Sequence, residues 1–247
     1  AFCAPITFRC HASLNASSMD RVECSTFKLQ TQRKYRISSV RCACSGLASA
    51  GVTVVTCTPN FPKGEVYPGY RNKLWQSETM DGIRVIRVWS YITANAGFLR
   101  RILDYQSFMI MAILVSPFIR GADVVIGTSP QFFTACAAYV VSLIKGIPFV
   151  FELRDLWPES IKAVGAMRDS LAIRVLEKIE VFLYRKATRI VSVTHSFKRS
   201  LSARGVEGNK IDVVTNGLDV SRFKPEPKDI DLVKRLGLEG KFVAGYI

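Results

Sequence analysis

Residues 149–160 read Phe-Val-Phe-Glu-Leu-Arg-Asp-Leu-Trp-Pro-Glu-Ser, so Glu152, Arg154, Asp155 and Glu159 follow directly on an apolar run, Ile147 to Phe151. These are acid–base and anion-binding side chains, able to orient a hydroxyl or hold a charged group. The apolar run reads as a buried parallel strand. Ligands of open α/β sheets bind just beyond the carboxyl ends of such strands. The cluster is therefore a candidate site; the alternative is an Arg154–acid ion pair closing a turn.

Other strand ends carry weaker candidates. Thr128 and Ser129 end the run Val124-Val-Ile-Gly127 and precede Pro130, where a hydroxyl can meet a ligand or simply cap the next helix. His195 follows Ile190-Val-Ser-Val193; a lone histidine there serves either as a site group or as structure. Asn216-Gly217 fits a tight turn with positive φ. Cys57 and Cys136 sit in apolar surroundings and read as inert.

The elements that must position these groups alternate. Strands are expected at 52–57, 83–89, 124–127, 149–151, 190–193 and 211–214. Helices are expected at 98–118, 132–144 (closing at Gly146), 171–185 and 197–204 (closing at Gly205). Leu176, Ile179, Phe182 and Leu183 are expected on one face of the third. This alternation predicts an α/β fold with a Rossmann-like, doubly wound parallel sheet. Leu47 to Gly51 resembles the last turn of a helix, and a parallel sheet wants a strand ahead of it.

Both ends depart from that texture. Residues 1–46 hold five of the seven cysteines and seven Lys or Arg against two acids, with no sustained apolar period. They resemble an acid-poor transit peptide without an evident amphipathic helix, and Cys42-x-Cys44 has no second pair to make a zinc site. We expect a disordered leader that packs little against a domain beginning near Gly46. Residues 220–247 read as a polar link, a short helix from Asp229 and then a new apolar strand from Lys241. A strand needs neighbours, so the expectation is the first strand of a further domain.

The formal net charge is +14, from 34 Lys and Arg against 20 Asp and Glu. Such an excess serves nucleic acid, a membrane surface or a phosphorylated ligand. No nucleic-acid-binding motif accompanies it, so no nucleic acid partner is expected. Arg100, Arg101, Arg120, Lys198, Arg199 and Arg204 suit an anionic membrane surface. The apolar run 108–115 is too short to span a bilayer and is expected to be buried.

Five stretches in order carry a family resemblance: Val54-Val-Thr-Cys-Thr-Pro-Asn-Phe-Pro-Lys-Gly64, Thr128-Ser-Pro-Gln-Phe-Phe133, Phe151 to Ser160, Phe182-Leu-Tyr184 and Val214-Thr-Asn-Gly-Leu-Asp219. From about residue 46 onward the chain resembles glycosyltransferase family four, of GT-B architecture. Within it the chain is most similar to bacterial O-antigen and exopolysaccharide enzymes, including N-acetyl-fucosaminyl transferases. The resemblance implies an N-terminal, acceptor-side Rossmann-like domain over residues 47–219, and the opening of a donor-side domain over 220–247. The family's Glu-x7-Glu donor motif, its opening glycine loop and the His of many members are not matched here; the last position reads Glu152-Leu-Arg-Asp155.

The implied activity is retaining, metal-independent transfer of a hexosyl or N-acetylhexosaminyl group, with no cofactor, from a nucleotide-sugar donor to a lipid-linked or polysaccharide acceptor. The implied location is cytoplasmic, peripheral on the inner face of the cell membrane. The departing diphosphate requires positive charge, a role for Arg154, which could instead order the acids around it. Asp155 or Glu159 would orient the acceptor hydroxyl. Trp157 would stack on a sugar or pack in the core. Glu152, Thr128, Ser129, His195, Asn216 and Gly217 complete the expected substrate-binding set. This chain alone is expected to be an inactive partial form. The alternative is a non-catalytic module that binds an acceptor or a membrane surface.

Overall fold

The computed structural model describes residues 6–10, 51–60, 63–80, 82–93, 98–156, 171–216 and 227–243. Apolar and β-branched runs give eight strands. They are β1 (Ile6–Cys10), β2 (Gly51–Cys57), β3 (Trp75–Met80), β4 (Ile83–Val88), β5 (Ala122–Thr128), β6 (Phe149–Leu153), β7 (Arg189–Ser192) and β8 (Ile211–Val213). Helices α1 (Phe98–Val115), α2 (Phe132–Lys145), α3 (Leu171–Lys186) and α4 (His195–Ala203) lie between them. A short 3-10 turn, Ser116–Phe118, follows α1. Gly146 ends α2 in the left-handed region at φ 63°, as the sequence requires.

The strands form one sheet in the order β3-β4-β2-β1-β5-β6-β7-β8. The pairs β2–β4, β5–β6, β6–β7 and β7–β8 are parallel. This is the expected Rossmann-like α/β arrangement. Two strands run against it: β3 is an antiparallel edge on β4, and β1 is antiparallel to both β2 and β5. Neither β3 nor β1 is expected from the sequence, because Trp75-Gln-Ser-Glu-Thr-Met80 is polar and β1 lies in the cysteine-rich leader.

The leader expectation is therefore corrected for Ile6–Cys10. Ile6 and Phe8 are fully buried in the main core, and the strand fills the slot where a strand was wanted, in the opposite direction. The physical reason is pairing. The facing edges of β2 and β5 present open backbone N–H and C=O groups, and a five-residue stretch with Ile-Thr-Phe alternation satisfies both. The expected helix end at residues 47–50 and the rest of the leader lie outside the described residues.

Helix α2 packs against β5, β6 and β1, with α1 on one side of it and α3 on the other. The core between helices and sheet includes Phe108, Ala112, Val115, Phe132, Ala135, Ala138, Val141, Phe149, Phe151, Leu183 and Tyr184. Burial of the 108–115 run holds for Phe108, Ala112 and Val115, while Ile110 and Leu114 face solvent. The expected face of α3 is also revised. Ile173, Glu180, Leu183 and Tyr184 point inward, and Ile179 and Phe182 are exposed. Apolar residues lie on more than one side of α3, so apolar spacing alone does not fix which side is buried.

Residues 217–247 form a second unit. Its described part contains α5 (Ile230–Arg235), begun by Asp229, whose carboxylate accepts from the Leu232 N–H at 2.9 Å. Lys241–Val243 form no strand, and Phe242 is exposed; residues 244–247 of the expected strand lie outside the described residues.

Two stability predictions follow from the sheet centre. Phe8→Ala should cost about 3–5 kcal/mol, the usual loss for a buried phenylalanine, read as a lower urea midpoint; an unchanged midpoint would place β1 outside the fold. A Cβ on Gly127 would lie 2.7 Å from the Ala138 Cβ and 3.1 Å from the Ala135 Cα. Gly127→Ala should therefore cost about 1–3 kcal/mol of overpacking, whereas Gly208→Ala, with nothing nearer than 3.6 Å, should change little.

Candidate functional site

The register Thr128↔Glu152 brings the ends of β5 and β6 level. Beyond Thr128 the chain turns through a cis Ser129–Pro130 bond into α2. The Ser129 N–H donates to the Glu152 carbonyl at 2.9 Å. Its hydroxyl oxygen accepts from the backbone N–H groups of Arg154 (2.8 Å) and Asp155 (3.3 Å), and its hydroxyl lies 3.4 Å from the Asp155 carbonyl. One side chain thus fixes the path of the chain just after β6. Thr128 donates its hydroxyl to the Glu152 carboxylate at 2.7 Å.

Glu152, Thr128 and Ser129 are buried. Burial pushes the Glu152 pKa up, and the Thr128 hydrogen bond and the Arg154 charge pull the other way. These three residues act as a brace beneath Arg154 and Asp155, which are half-buried at the surface of the sheet end. The Arg154 guanidinium reaches the Asn216 side-chain oxygen at 3.4 Å, which ties the end of β6 to the residues after β8.

The structure therefore brings together Thr128, Ser129, Glu152, Arg154, Asp155 and Asn216. Trp157, Glu159 and Gly217 lie outside the described residues. His195 stands at the same edge of the sheet, exposed on the first turn of α4 and outside this hydrogen-bonded group. Helix α4 begins at His195, two residues ahead of the expected 197–204, because Thr194 caps it by accepting from the Phe197 N–H at 3.1 Å.

Sequence reasoning passes over a second polar group at this edge, beyond β4. Asn72 donates to the Ser90 carbonyl at 2.8 Å. The Ser107 hydroxyl oxygen accepts from the Tyr91 N–H at 2.7 Å and its proton goes to the Asp104 carbonyl at 2.7 Å. The Asp104 carboxylate is fully buried, and both its oxygens lack a hydrogen-bond partner among the described residues. Burial pushes its pKa up from 3.8 to about 6. A carboxyl that exchanges its proton near neutrality is suited to acid–base work. The available signal is Asp104 itself, the one acid in the otherwise apolar and basic stretch 98–118.

Arg87 is buried for another purpose. It pairs with Glu78 at 2.6 Å, donates to the Cys57 carbonyl at 3.2 Å and lies over the Tyr70 ring, joining β2, β4 and β3. The Cys136 thiol is pushed up to about 12 by burial, which removes it from thiolate chemistry at neutral pH. Among the described residues, no three His, Cys, Asp or Glu side chains lie close enough to hold a metal ion.

Residues 38–217 match the family model described as glycosyl transferase 4-like domain. The chain belongs to that family. A protein named probable glycosyltransferase WbjE, from Pseudomonas aeruginosa, is 23% identical over 126 residues, which cover 51% of this chain and 31% of that protein. The crystal structure of Anabaena Alr3699/HepE in complex with UDP-glucose aligns with a TM-score of 0.41 at 17% identity, over 58% of this chain and 35% of that one. Its complex with UDP and glucose aligns over 57% and 34%, with the same TM-score and identity. The chain thus spans about a third of the length of these proteins. Membership of the glycosyl transferase 4-like family accords with the α/β sheet.

Asp104 generates a pH prediction. Its folded pKa lies above its ordinary value, so between about pH 4 and pH 6 the native state holds the proton more tightly than the unfolded chain. Its contribution to stability therefore falls as pH rises through that window. Asp104→Asn removes this term. Relative to wild type, the variant should gain about 2 kcal/mol between pH 4 and pH 7, measured from urea midpoints. An equal offset at both pH values would show that Asp104 does not titrate there.

Proposed function

We propose that this chain is the acceptor-side unit of a retaining, metal-independent glycosyltransferase. In this reading the intact enzyme moves a hexosyl or N-acetylhexosaminyl group from a nucleotide sugar to a lipid-linked diphosphate acceptor. The work lies on the inner face of the cell membrane, in cell-surface polysaccharide assembly, with N-acetyl-fucosaminyl transfer the nearest chemistry. The observation that carries the proposal is the Ser129 clamp. It positions Arg154 and Asp155 at the carboxyl edge of the sheet while Thr128 and Glu152 remain beneath as support.

In this reading Arg154 faces the diphosphate of the lipid-linked acceptor, instead of the departing diphosphate that the family resemblance implies, and its guanidinium fork matches two phosphate oxygens. Asn216 holds the fork at its far side. Asp155 accepts a hydrogen bond from the attacking hydroxyl and orients it. Trp157, Glu159 and Gly217 belong to the substrate-binding set in this reading. His195 is a peripheral contact on the same edge.

No Glu-x7-Glu pair occurs in the 247 residues, so transfer by this chain alone is expected at background and binding is the readout. A short-chain polyprenyl diphosphate sugar should bind the purified chain in equilibrium partition measurements. Arg154→Ala should weaken that binding at least about tenfold, or roughly 1.4 kcal/mol, and Asp155→Asn by a similar factor, with melting temperatures close to wild type. Unchanged binding in both variants would move the acceptor site away from this cluster.

A further inference from the structure

We infer that the solvent face of α3 is a docking surface for an anionic lipid bilayer. The inference rests on the functional reading above for the membrane itself, and adds which residues meet it. Four large apolar side chains stand exposed along this helix: Leu171 (79%), Val175 (47%), Ile179 (37%) and Phe182 (43%). Arg174, Lys178, Arg185 and Lys186 are exposed between them. At 3.6 residues per turn these eight positions share one arc of about 140°. Arg174, Lys178 and Arg185 flank its one side and the apolar residues its other, with Lys186 among the latter.

The arc contains no acid. Glu180 is on the buried side, where it accepts from the Tyr184 hydroxyl (2.6 Å) and pairs with Arg204 (2.8 Å). None of the four cations pairs with a carboxylate among the described residues. Lys186 lies with its ammonium 5.8 Å from the centre of the Phe182 ring. Phe182 in turn meets Tyr139 of α2 edge-on at 5.4 Å. One turn beyond Tyr139, α2 exposes Leu143, which extends the apolar side of the surface.

An apolar strip with interleaved lysine and arginine is the chemistry of a helix lying in a lipid interface. The cations attract acidic headgroups while their stems and the apolar residues enter the acyl boundary. A second copy of the chain is disfavoured as the occupant, because a two-fold contact would set these cations against themselves. Two of the six cations indicated by sequence alone are used differently. Arg204 is turned inward to Glu180, and Lys198 donates to the Ile211 carbonyl at 2.7 Å. Helix α3 ends at Lys186 just before the start of β7, which is parallel to β6, so the Leu171 end of the strip lies toward the sheet edge that carries Arg154.

The test is co-sedimentation of the purified 247-residue chain with extruded vesicles that contain no acceptor. Wild type should pellet with vesicles of equal parts phosphatidylcholine and phosphatidylglycerol, less so at high salt, and remain in solution with phosphatidylcholine alone. Arg174→Glu/Lys178→Glu/Arg185→Glu and Leu171→Ser/Val175→Ser/Ile179→Ser should each lower the partition coefficient at least about tenfold. Circular dichroism melting should show both variants folded, since the altered side chains face solvent. Arg154→Ala should pellet like wild type, so loss of acceptor binding and loss of membrane binding are read separately. Wild-type pelleting by both surface variants would overturn the inference. So would equal partition onto neutral vesicles, or a concentration-dependent dimer that the serine variant abolishes without any vesicle binding.

Discussion

The continuity of the sheet depends on five residues. β2 and β5 do not pair with one another; each pairs with β1, and through it the β3-β4-β2 half joins the β5-β6-β7-β8 half. The backbone hydrogen bonds of Ile6–Cys10 therefore do two jobs, closing two open edges and placing Ile6 and Phe8 in the core shared with α2. An unpaired edge in the middle of a sheet would leave buried donors and acceptors without partners, which costs more than a strand in the reverse direction.

From that centre the site is built by close packing. Ala135 and Ala138 let α2 approach β5 so nearly that Gly127 has no room for a side chain. This fixes the start of α2 and the turn before it, which carries Ser129. Ser129 then fixes the backbone at Arg154 and Asp155 through three contacts within hydrogen-bonding distance. The surface groups of the candidate site thus inherit their positions from buried ones. The ionisable neighbours are kept apart in role: Glu152 is held beneath by Thr128, and Arg154 is turned outward to Asn216.

Much of this was legible in the residues. The run from β5 to β8 alternates apolar strands with amphipathic helices, and Gly146, the capping Thr194 and Gly205 mark three of its boundaries. The 152–155 cluster stood out because charge follows a buried strand. What stayed hidden depends on tertiary pairing. β1 is a short segment in a basic, cysteine-rich stretch, and β3 is a polar edge strand whose Glu78 exists in the fold to meet Arg87. Asp104 gave no local pattern, since its significance lies in the lack of a hydrogen-bond partner among the described residues once α1 is packed. The division of α3 into a buried and an exposed apolar side was also unreadable, because Ile179 and Phe182 look no less core-like in sequence than Leu183 does.

The direction of β1 has a practical consequence. Ile6 pairs with Val55 and Gly127, near the carboxyl ends of β2 and β5, so the strand enters the sheet from the edge that holds Ser129 and Arg154. Anything fused ahead of residue 1 is tethered within about 20 Å of that edge by five intervening residues. An amino-terminal affinity handle or fluorophore would compete with small molecules for access there, and a polyhistidine handle would add imidazoles beside a candidate anion site.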